Sequence, residues 1–121
     1  MALVLIVEDE KPLQDVYKLI LQSHGYDTLI AGDGLEALEH LKISEPKLIL
    51  LDINMPKMNG LEFMREFVKL ETQCTVVVLS NMSYSDIIDE VMDLGAVEKV
   101  TKAKTGPAEL VGIVSKYTED R

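Results

Sequence analysis

The feature that most constrains the fold is a set of three short apolar runs that are continuous rather than alternating. They read LVLIV (residues 3–7), LILL (residues 48–51) and TVVVL (residues 75–79). A strand with one solvated face alternates apolar and polar residues, whereas an unbroken run is typical of a strand buried on both faces. Two weaker candidates, YDTLIA (residues 26–31) and AVEKV (residues 96–100), are expected nearer the sheet edges.

Amphipathic helices are predicted between these strands, because apolar residues recur there at helical spacing. The expected helices cover residues 12–24, 34–43, 60–71, 84–94 and 107–118. Pro12 and Pro107 suit a first helical turn, and Gly25 and Gly95 suit a helix end. The residues expected on the apolar faces include Leu13, Val16, Tyr17, Leu21, Leu35, Leu38, Leu41, Met64, Phe67, Val68, Tyr84, Val91, Leu110 and Val114.

The order of elements is strand then helix, five times over. Right-handed crossovers convert such an order into a parallel sheet with helices on both faces, which is an α/β fold. The length of 121 residues suits one domain. We found no internal repeat, low-complexity tract or linker in the sequence, so a single domain over residues 1–121 is predicted.

The charge balance disfavours two classes of partner. A formal net charge of −9 repels phosphate backbones and anionic lipid, so direct binding to nucleic acid or a membrane is not expected. No basic leader precedes the first apolar run, and no run approaches the roughly 20 apolar residues of a membrane span. A cytoplasmic protein is therefore expected. Cys74, the single cysteine, is expected to be a small buried hydrophobe.

Polar residues follow the predicted strands at the points where each strand ends. In chain order they are Glu8, Asp9, Asp52, Asn54, Ser80 and Lys102. The carboxyl ends of parallel strands meet at one edge of the sheet, where ligands of open α/β sheets bind. Taken singly, each residue has an ordinary explanation as a loop acid, a helix cap or a surface lysine. Only the whole set predicts one site.

The predicted site combines several carboxylates with a hydroxyl and an ammonium group. Two carboxylates about 5 Å apart repel by about 3 kcal/mol at an effective dielectric constant near 20, so the cluster needs a cation. The ligands are all oxygens, which favours Mg²⁺ over zinc. A carboxylate nucleophile, Mg²⁺ and donors to phosphoryl oxygens together make a phosphoryl-transfer site.

Four segments resemble the receiver domains of two-component response regulators. VLIVEDE is similar to the first strand and acidic pair of that family, and LLDINMPKMNG to its phosphoacceptor loop. VVVLSN carries the switch hydroxyl, and GAVEKVTK places Lys102 seven residues after Gly95. The resemblance covers essentially the whole chain. It implies a flavodoxin-like, doubly wound (βα)5 fold, with a five-stranded parallel sheet in the order 2-1-3-4-5 and no effector domain.

The resemblance also implies a role for each acidic site residue. Asp52 would accept a phosphoryl group from the phosphohistidine of a sensor histidine kinase or a phosphotransfer protein. Glu8, Asp9 and Asp52 would hold Mg²⁺, together with the backbone carbonyl of Asn54. The protein would be no enzyme toward other substrates and would catalyse only its own phosphoryl transfer and autodephosphorylation.

The remaining two site residues would connect phosphorylation to output. Lys102 would pair with the phosphoryl oxygens, and Ser80 would hydrogen-bond one of them. As Ser80 swings toward the phosphoryl group, it would change the surface built by the fourth helix, fifth strand and fifth helix. That surface would contact a downstream protein target. The resemblance leaves the protein a monomer or a weak dimer.

Three residues depart from the family pattern. Ala103 replaces the proline whose peptide bond is usually cis, so we expect either a trans bond with Lys102 displaced or a strained cis bond. Lys99 stands in place of the switch aromatic residue. Asn81 is larger than the usual residue after the switch hydroxyl and is expected to narrow access to Asp52.

Other function classes remain as alternatives. One alternative, which the three departures support, is a receiver-like protein-interaction module that has lost phospho-switching and keeps only the fold. A phosphatase of the haloacid dehalogenase type needs a second aspartate two residues after the nucleophile, where this chain has Asn54. A flavodoxin-like cofactor binder needs a hydroxyl-rich phosphate loop, where this chain has the acidic EDEK. Both enzyme and cofactor-binding classes are therefore disfavoured.

Overall fold

The computed structural model describes residues 2–81 and 85–119. Strands and helices alternate along the chain as the apolar pattern predicts. The strands are β1 (Leu3–Val7), β2 (Asp27–Ala31), β3 (Leu48–Asp52), β4 (Thr75–Ser80) and β5 (Glu98–Thr101). The helices are α1 (Lys11–Ser23), α2 (Gly34–Ile43), α3 (Gly60–Phe67), α4 (Ser85–Asp93) and α5 (Pro107–Thr118). Two short 3₁₀ turns, Val68–Leu70 and Lys102–Lys104, follow α3 and β5.

The five strands form one parallel sheet in the order β2-β1-β3-β4-β5. This is the doubly wound, flavodoxin-like (βα)5 fold, and the prediction of fold and strand order is confirmed. β3 lies at the centre, and its last residue, Asp52, is level with Leu79 of β4. Ser80 of β4 is level with Thr101 of β5, so the polar strand ends share one edge of the sheet.

The sheet is covered on both faces, which explains the unbroken apolar runs. In β3, Ile49 and Leu51 pack into the core on the side of α2, α3 and α4. The alternate residues Leu48 and Leu50 pack into a second core against α1 and α5. Successive side chains of a strand point to opposite faces, so each core receives every second residue. All five residues of β3 are buried.

The helix predictions need correction at several positions. Val16, Leu35 and Val68 were expected on apolar faces, but each is 39% or more exposed, because they lie at the margins of their apolar stripes. The predicted helix over residues 60–71 is two elements, since α3 gives way to a 3₁₀ turn that ends at Glu71 with a φ of 53°. Tyr84 lies outside the described residues.

Two further sequence expectations can be compared with the fold. Cys74 is half-buried rather than fully buried, and its sulfur lies 3.2 Å from the Thr72 hydroxyl oxygen. None of the helices in the described ranges has both the length and the apolar character of a membrane span.

Candidate functional site

Asp52 ends the central strand in a tightly packed setting. It is only 7% exposed. The loop after it folds back on the strand, since the Gly60 backbone N–H donates to the Ile53 carbonyl at 2.8 Å. A Cβ on Gly60 would come within 2.7 Å of the Asp52 carbonyl oxygen, so a residue without a side chain is required there. The backbone that carries Asp52 is therefore held from below by the start of α3.

A reciprocal cap fixes the start of α3. The Asn59 side chain accepts from the Glu62 backbone N–H at 2.9 Å, and the Glu62 side chain accepts from the Asn59 N–H at 3.0 Å. Such a capping box satisfies two backbone donors that the helix itself leaves free. The sequence NGLE thus ends the loop at a defined position.

The acidic pair after β1 lies beside Asp52. Glu8, Asp9 and Asp52 each offer a carboxylate oxygen, and these three atoms lie within 4.8 Å of one another. Glu8 is only 2% exposed, whereas Asp9 is open to solvent. Glu8 Oε2 accepts from the Glu10 backbone N–H at 3.1 Å. The two acids therefore have different settings, with Glu8 beneath the site and Asp9 at its rim.

The sequence did not predict the contact that holds this turn from the helix side. The Gln14 side-chain amide, one turn into α1, donates to the Glu8 backbone carbonyl at 2.6 Å. A single glutamine at a half-buried helix position carries no recognisable signal. Its contact follows only from the way α1 packs against the end of β1.

Lys102 reaches into the acidic cluster from β5. Its ammonium nitrogen lies 2.6 Å from Glu8 Oε1 and 3.2 Å from Asp52 Oδ2, with 11% of the side chain exposed. Every peptide bond in the described ranges is trans, including the bond before Ala103. Of the two alternatives expected there, the trans bond is the one observed, and Lys102 still contacts both carboxylates.

The turn after β5 explains how Lys102 is placed without a proline. Residues 102–104 form a single 3₁₀ turn that the Thr105 N–H closes onto the Lys102 carbonyl at 3.1 Å. The Thr105 hydroxyl also donates to the Thr101 carbonyl at 2.8 Å. These two bonds fix the backbone on either side of the lysine.

Burial and charge oppose each other within the cluster. Burial raises the pKa of Asp52 and of Glu8, because an apolar setting penalises the charged carboxylate. The neighbouring Lys102 ammonium opposes this rise, but the pKa of each carboxyl stays above its usual value. Burial would lower the pKa of Lys102 itself, but its 2.6 Å ion pair with Glu8 and the charge of Asp52 outweigh this and raise it. The lysine therefore stays protonated and offsets one of the three carboxylate charges.

An open pocket of about 250 Å³ lies above Asp52. Its lining consists of Asp9, Glu10, Asp52, Ile53, Asn54, Ser80, Asn81 and Lys102. Five of the six residues predicted for the site line this pocket directly. Glu8 lies beneath it, where it contacts Lys102. Ser80 is buried at the end of β4, while Asn81 is exposed at the pocket mouth.

The donor set fits a hard divalent cation. Among the described residues, Lys102 is the ammonium group that contacts this cluster, and it pairs with Glu8 and Asp52 but not with Asp9, which leaves an excess of negative charge at the pocket. All the offered ligand atoms in this cluster are oxygens, and Mg²⁺ prefers oxygen ligands while retaining several waters. The open volume leaves room for those waters.

The sequence over residues 4–115 matches the response regulator receiver domain family. The chain belongs to this family. Receiver domains are the response-regulator modules of two-component signalling, and the acidic cluster around Asp52 lies at the predicted edge of the sheet. The recognition made from the four sequence segments is confirmed.

Solved structures of receiver domains superpose closely on this chain. The chemotaxis protein CheY4 of Vibrio cholerae is 27% identical, with a TM-score of 0.88 over 97% of this chain and 98% of that one. A CheY-like response regulator receiver domain protein of Methanospirillum hungatei JF-1 is 25% identical, with a TM-score of 0.89 over 96% and 92%. The receiver domain of a signal transduction histidine kinase from Syntrophus aciditrophicus is 28% identical, with a TM-score of 0.85 over 97% and 89%.

Proposed function

We propose that this receiver domain is a phosphorylation switch, in which Asp52 accepts a phosphoryl group from the phosphohistidine of a sensor histidine kinase or phosphotransfer protein. One observation carries the proposal. A buried carboxylate at the end of the central strand opens into a pocket of about 250 Å³, 3.2 Å from an ammonium group and beside two more carboxylates. The chain would catalyse only its own phosphoryl transfer and autodephosphorylation.

In the proposed step, an Asp52 carboxylate oxygen attacks the phosphorus of the donor. The new O–P bond forms while the N–P bond of the phosphohistidine breaks, and the imidazole leaves with the electron pair. Asp52 must be ionised to attack, and the Lys102 ammonium at 3.2 Å favours that form against the effect of burial. Lys102 also supplies positive charge for the phosphoryl oxygens, where preorganised donors stabilise the transition state.

Mg²⁺ is the cofactor of the proposal. Glu8, Asp9, Asp52 and the backbone carbonyl of Asn54 would hold it, since the three carboxylates cluster and Asn54 lines the same pocket. When bound, the ion neutralises carboxylate charge so that an anionic phosphoryl group can approach. Glu8 already contacts Lys102 at 2.6 Å, so its buried carboxylate would help to hold the ion as well as orient the lysine.

The proposed output begins at Ser80. This buried hydroxyl lines the pocket and lies level with Thr101 of β5. A hydrogen bond from Ser80 to a phosphoryl oxygen would favour one of two states of the surface formed by α4, β5 and α5. A ligand shifts such an equilibrium by its differential contacts with the two states. A downstream protein would bind this surface.

The direct test is covalent labelling with acetyl phosphate. With Mg²⁺ present, the protein should gain the mass of one phosphoryl group, and chelation of the ion should prevent the gain. Asp52→Asn should remain unlabelled. Asp27→Asn is the matched control, because Asp27 is an exposed aspartate at the opposite end of its strand from the pocket. Equal labelling of Asp52→Asn and the parent would refute the proposal.

A second outcome favours a different function. If the parent binds Mg²⁺ but is never labelled, by acetyl phosphate or by a histidine kinase, the protein is a receiver-like interaction module. Lys99 and Asn81, both exposed departures from the family pattern, are the residues that support this alternative.

A further inference from the structure

A shallow groove lies between β5, the turn that follows it and α5. We call it the β5–α5 groove; its volume is about 500 Å³. Val100 and Ile113 supply apolar surface, and both are half-buried. Lys99 and Lys104 stand at its margin and are exposed. The groove is therefore apolar at its floor and basic at its margin.

The two acidic residues of the groove are already engaged within the protein. Glu98 accepts from the Tyr117 hydroxyl and lies 3.2 Å from the Lys116 ammonium group. The Glu109 carboxylate accepts from the Gly106 backbone N–H at 3.0 Å. Internal donors thus occupy both carboxylates, which limits their ability to bind a cationic partner.

The basic residues at the margin have no such engagement. Across residues 2–81 and 85–119, neither Lys99 nor Lys104 forms an ion pair or a side-chain hydrogen bond. Lys116 also lines the groove, but its ammonium group is paired with the Glu98 carboxylate at 3.2 Å. In a chain of net charge −9, Lys99 and Lys104 therefore give this edge two ammonium groups without an internal counterion among the described residues. The complementary partner surface is acidic.

A helical glycine lines the groove and leaves open space there. Gly112 lies in the middle of α5, and a Cβ added there would meet no heavy atom of the described residues within 4 Å. Glycine inside a helix is less stable than alanine by roughly 0.5–1 kcal/mol. Packing within the chain does not require it here. An absent side chain does, however, let a partner contact the helix backbone at the groove.

We propose that the β5–α5 groove binds an acidic segment of a partner protein, which places an apolar side chain over Gly112 and carboxylates beside Lys99 and Lys104. The inference assigns a partner chemistry to the output surface of the proposed function, and to that extent it rests on that function. Hydrophobic anchoring gives affinity at such a site, and the charges at the margin select acidic partners.

The groove is joined to the phosphoacceptor through one strand. Thr101 lines the groove, and the next residue, Lys102, contacts Asp52 at 3.2 Å. Thr101 also lies level with Ser80. A change at the pocket that moves Lys102 or Ser80 therefore acts on backbone that forms the wall of the groove.

The test is selection from a random 12-residue peptide display library on the immobilised full chain. Selection is carried out with and without Mg²⁺ and beryllofluoride. Enriched peptides should carry aspartate or glutamate on both sides of a leucine or phenylalanine. In a binding titration with the best peptide, Lys99→Glu and Lys104→Glu should each weaken binding about fivefold, with an effect that salt reduces.

Two further variants separate the groove from general surface charge. Gly112→Leu should weaken binding by more than about tenfold because its side chain fills the groove, and it should still fold because leucine favours helix more than glycine. Lys42→Glu makes the same charge change on α2, on the other face of the sheet, and should alter binding by less than about twofold.

The possible results are distinguishable. No enrichment, enrichment of basic or uncharged peptides, or equal binding to the parent and Gly112→Leu would overturn the inference. Labelling of Asp52 by acetyl phosphate is measured on the same variants. Normal labelling with no groove binding would leave the proposed function standing, whereas groove binding without labelling would remove the switch and keep the docking site.

Discussion

The central strand β3 and the edge strand β5 have opposite surroundings. All five residues of β3 are buried, with β1 on one side and β4 on the other. All four residues of β5 keep part of their surface exposed, and β5 pairs only with β4. Yet the site needs both strands, because Asp52 ends β3 and Lys102 follows β5.

This difference suggests a division of roles. Asp52, the proposed phosphoacceptor, ends a strand whose five residues are all buried, and Gly60 and the cap of α3 hold the loop that follows it. Its charge partner comes from an edge strand with fewer neighbours. Elements with fewer buried contacts open and shift at lower free energy than core strands. The comparison therefore predicts fixed chemistry at the centre and an adjustable surface at the edge.

The largest expected effect is a loss of stability at the central strand. Leu50→Ala removes a fully buried side chain and should lower the free energy of unfolding by about 3 kcal/mol. Val100→Ala, at the half-buried edge strand, should cost about 1 kcal/mol. Urea unfolding measures both values. Equal losses would contradict the assignment of a rigid centre and a looser edge.

Two glycines give the second comparison. Gly60→Ala places a Cβ within 2.7 Å of the Asp52 carbonyl oxygen, so it should destabilise the fold by about 2 kcal/mol and slow acetyl phosphate labelling. Gly112→Ala meets open space in α5 and should stabilise the fold by about 0.5–1 kcal/mol without changing labelling. Thermal unfolding and labelling rates check both. A stabilising Gly60→Ala would show that the close approach does not constrain the Asp52 loop.

The third prediction concerns the support of the acidic turn. Gln14→Ala removes the hydrogen bond to the Glu8 carbonyl and should lower stability by about 1 kcal/mol. It should also weaken Mg²⁺ binding and slow labelling of Asp52, because Glu8 and Asp9 lose a fixed position. Gln22→Ala, on the same helix, is the control and should change neither, because its amide makes only an exposed 3.4 Å contact with the Thr28 hydroxyl of β2. Identical Mg²⁺ titrations for the two variants would contradict a positioning role for Gln14.

The smallest expected effect lies at the β5–α5 contact. The Tyr117 hydroxyl, which donates to Glu98, lowers the pKa of that carboxyl below its usual 4.5. A lowered folded-state pKa adds stability above the unfolded pKa, and this stability is lost as pH falls through the folded value. Tyr117→Phe should therefore cost about 0.5 kcal/mol at neutral pH, since the pair is partly solvated.

That cost should vanish in acid. At an acidic pH below the Glu98 pKa of both the folded and the unfolded state, the carboxyl is protonated in both states, so the parent and Tyr117→Phe should unfold with the same free energy. Urea titrations at the two pH values give the comparison. A difference that persists or grows in acid would mean that the hydroxyl acts through packing rather than through the Glu98 charge.

The sheet could be predicted because apolar patterning alone distinguishes buried strands. Strand β3 was expected over residues 48–51 and ends one residue later at Asp52. The prediction of edge strand β5 was the least accurate, since the strand was expected over residues 96–100 and lies at Glu98–Thr101. A half-exposed strand lacks a strong apolar pattern in the sequence. Helical periodicity also overestimated burial at Val16 and Leu35, since spacing places residues on a face without showing how far the sheet reaches.

The candidate site was predictable as a set of strand-end residues, and its internal contacts were not. Five of those six residues line one pocket because parallel strands end at a common edge. The deep burial of Glu8 and its 2.6 Å ion pair with Lys102 depend on how the turn after β5 folds. Hydrogen bonds from Thr105 hold that turn, and no sequence motif predicts them.

The most direct test of the central claim is an amide ¹H–¹⁵N NMR comparison with and without Mg²⁺ and beryllofluoride. We expect shifts at Asp52, at Ser80 and along β5 and the facing side of α5, with β2 and α2 unchanged. Asp52→Asn should give none of these beryllofluoride-dependent shifts. Shifts confined to the pocket, or identical shifts in Asp52→Asn, would contradict a switch that is set at the central strand and read at the edge.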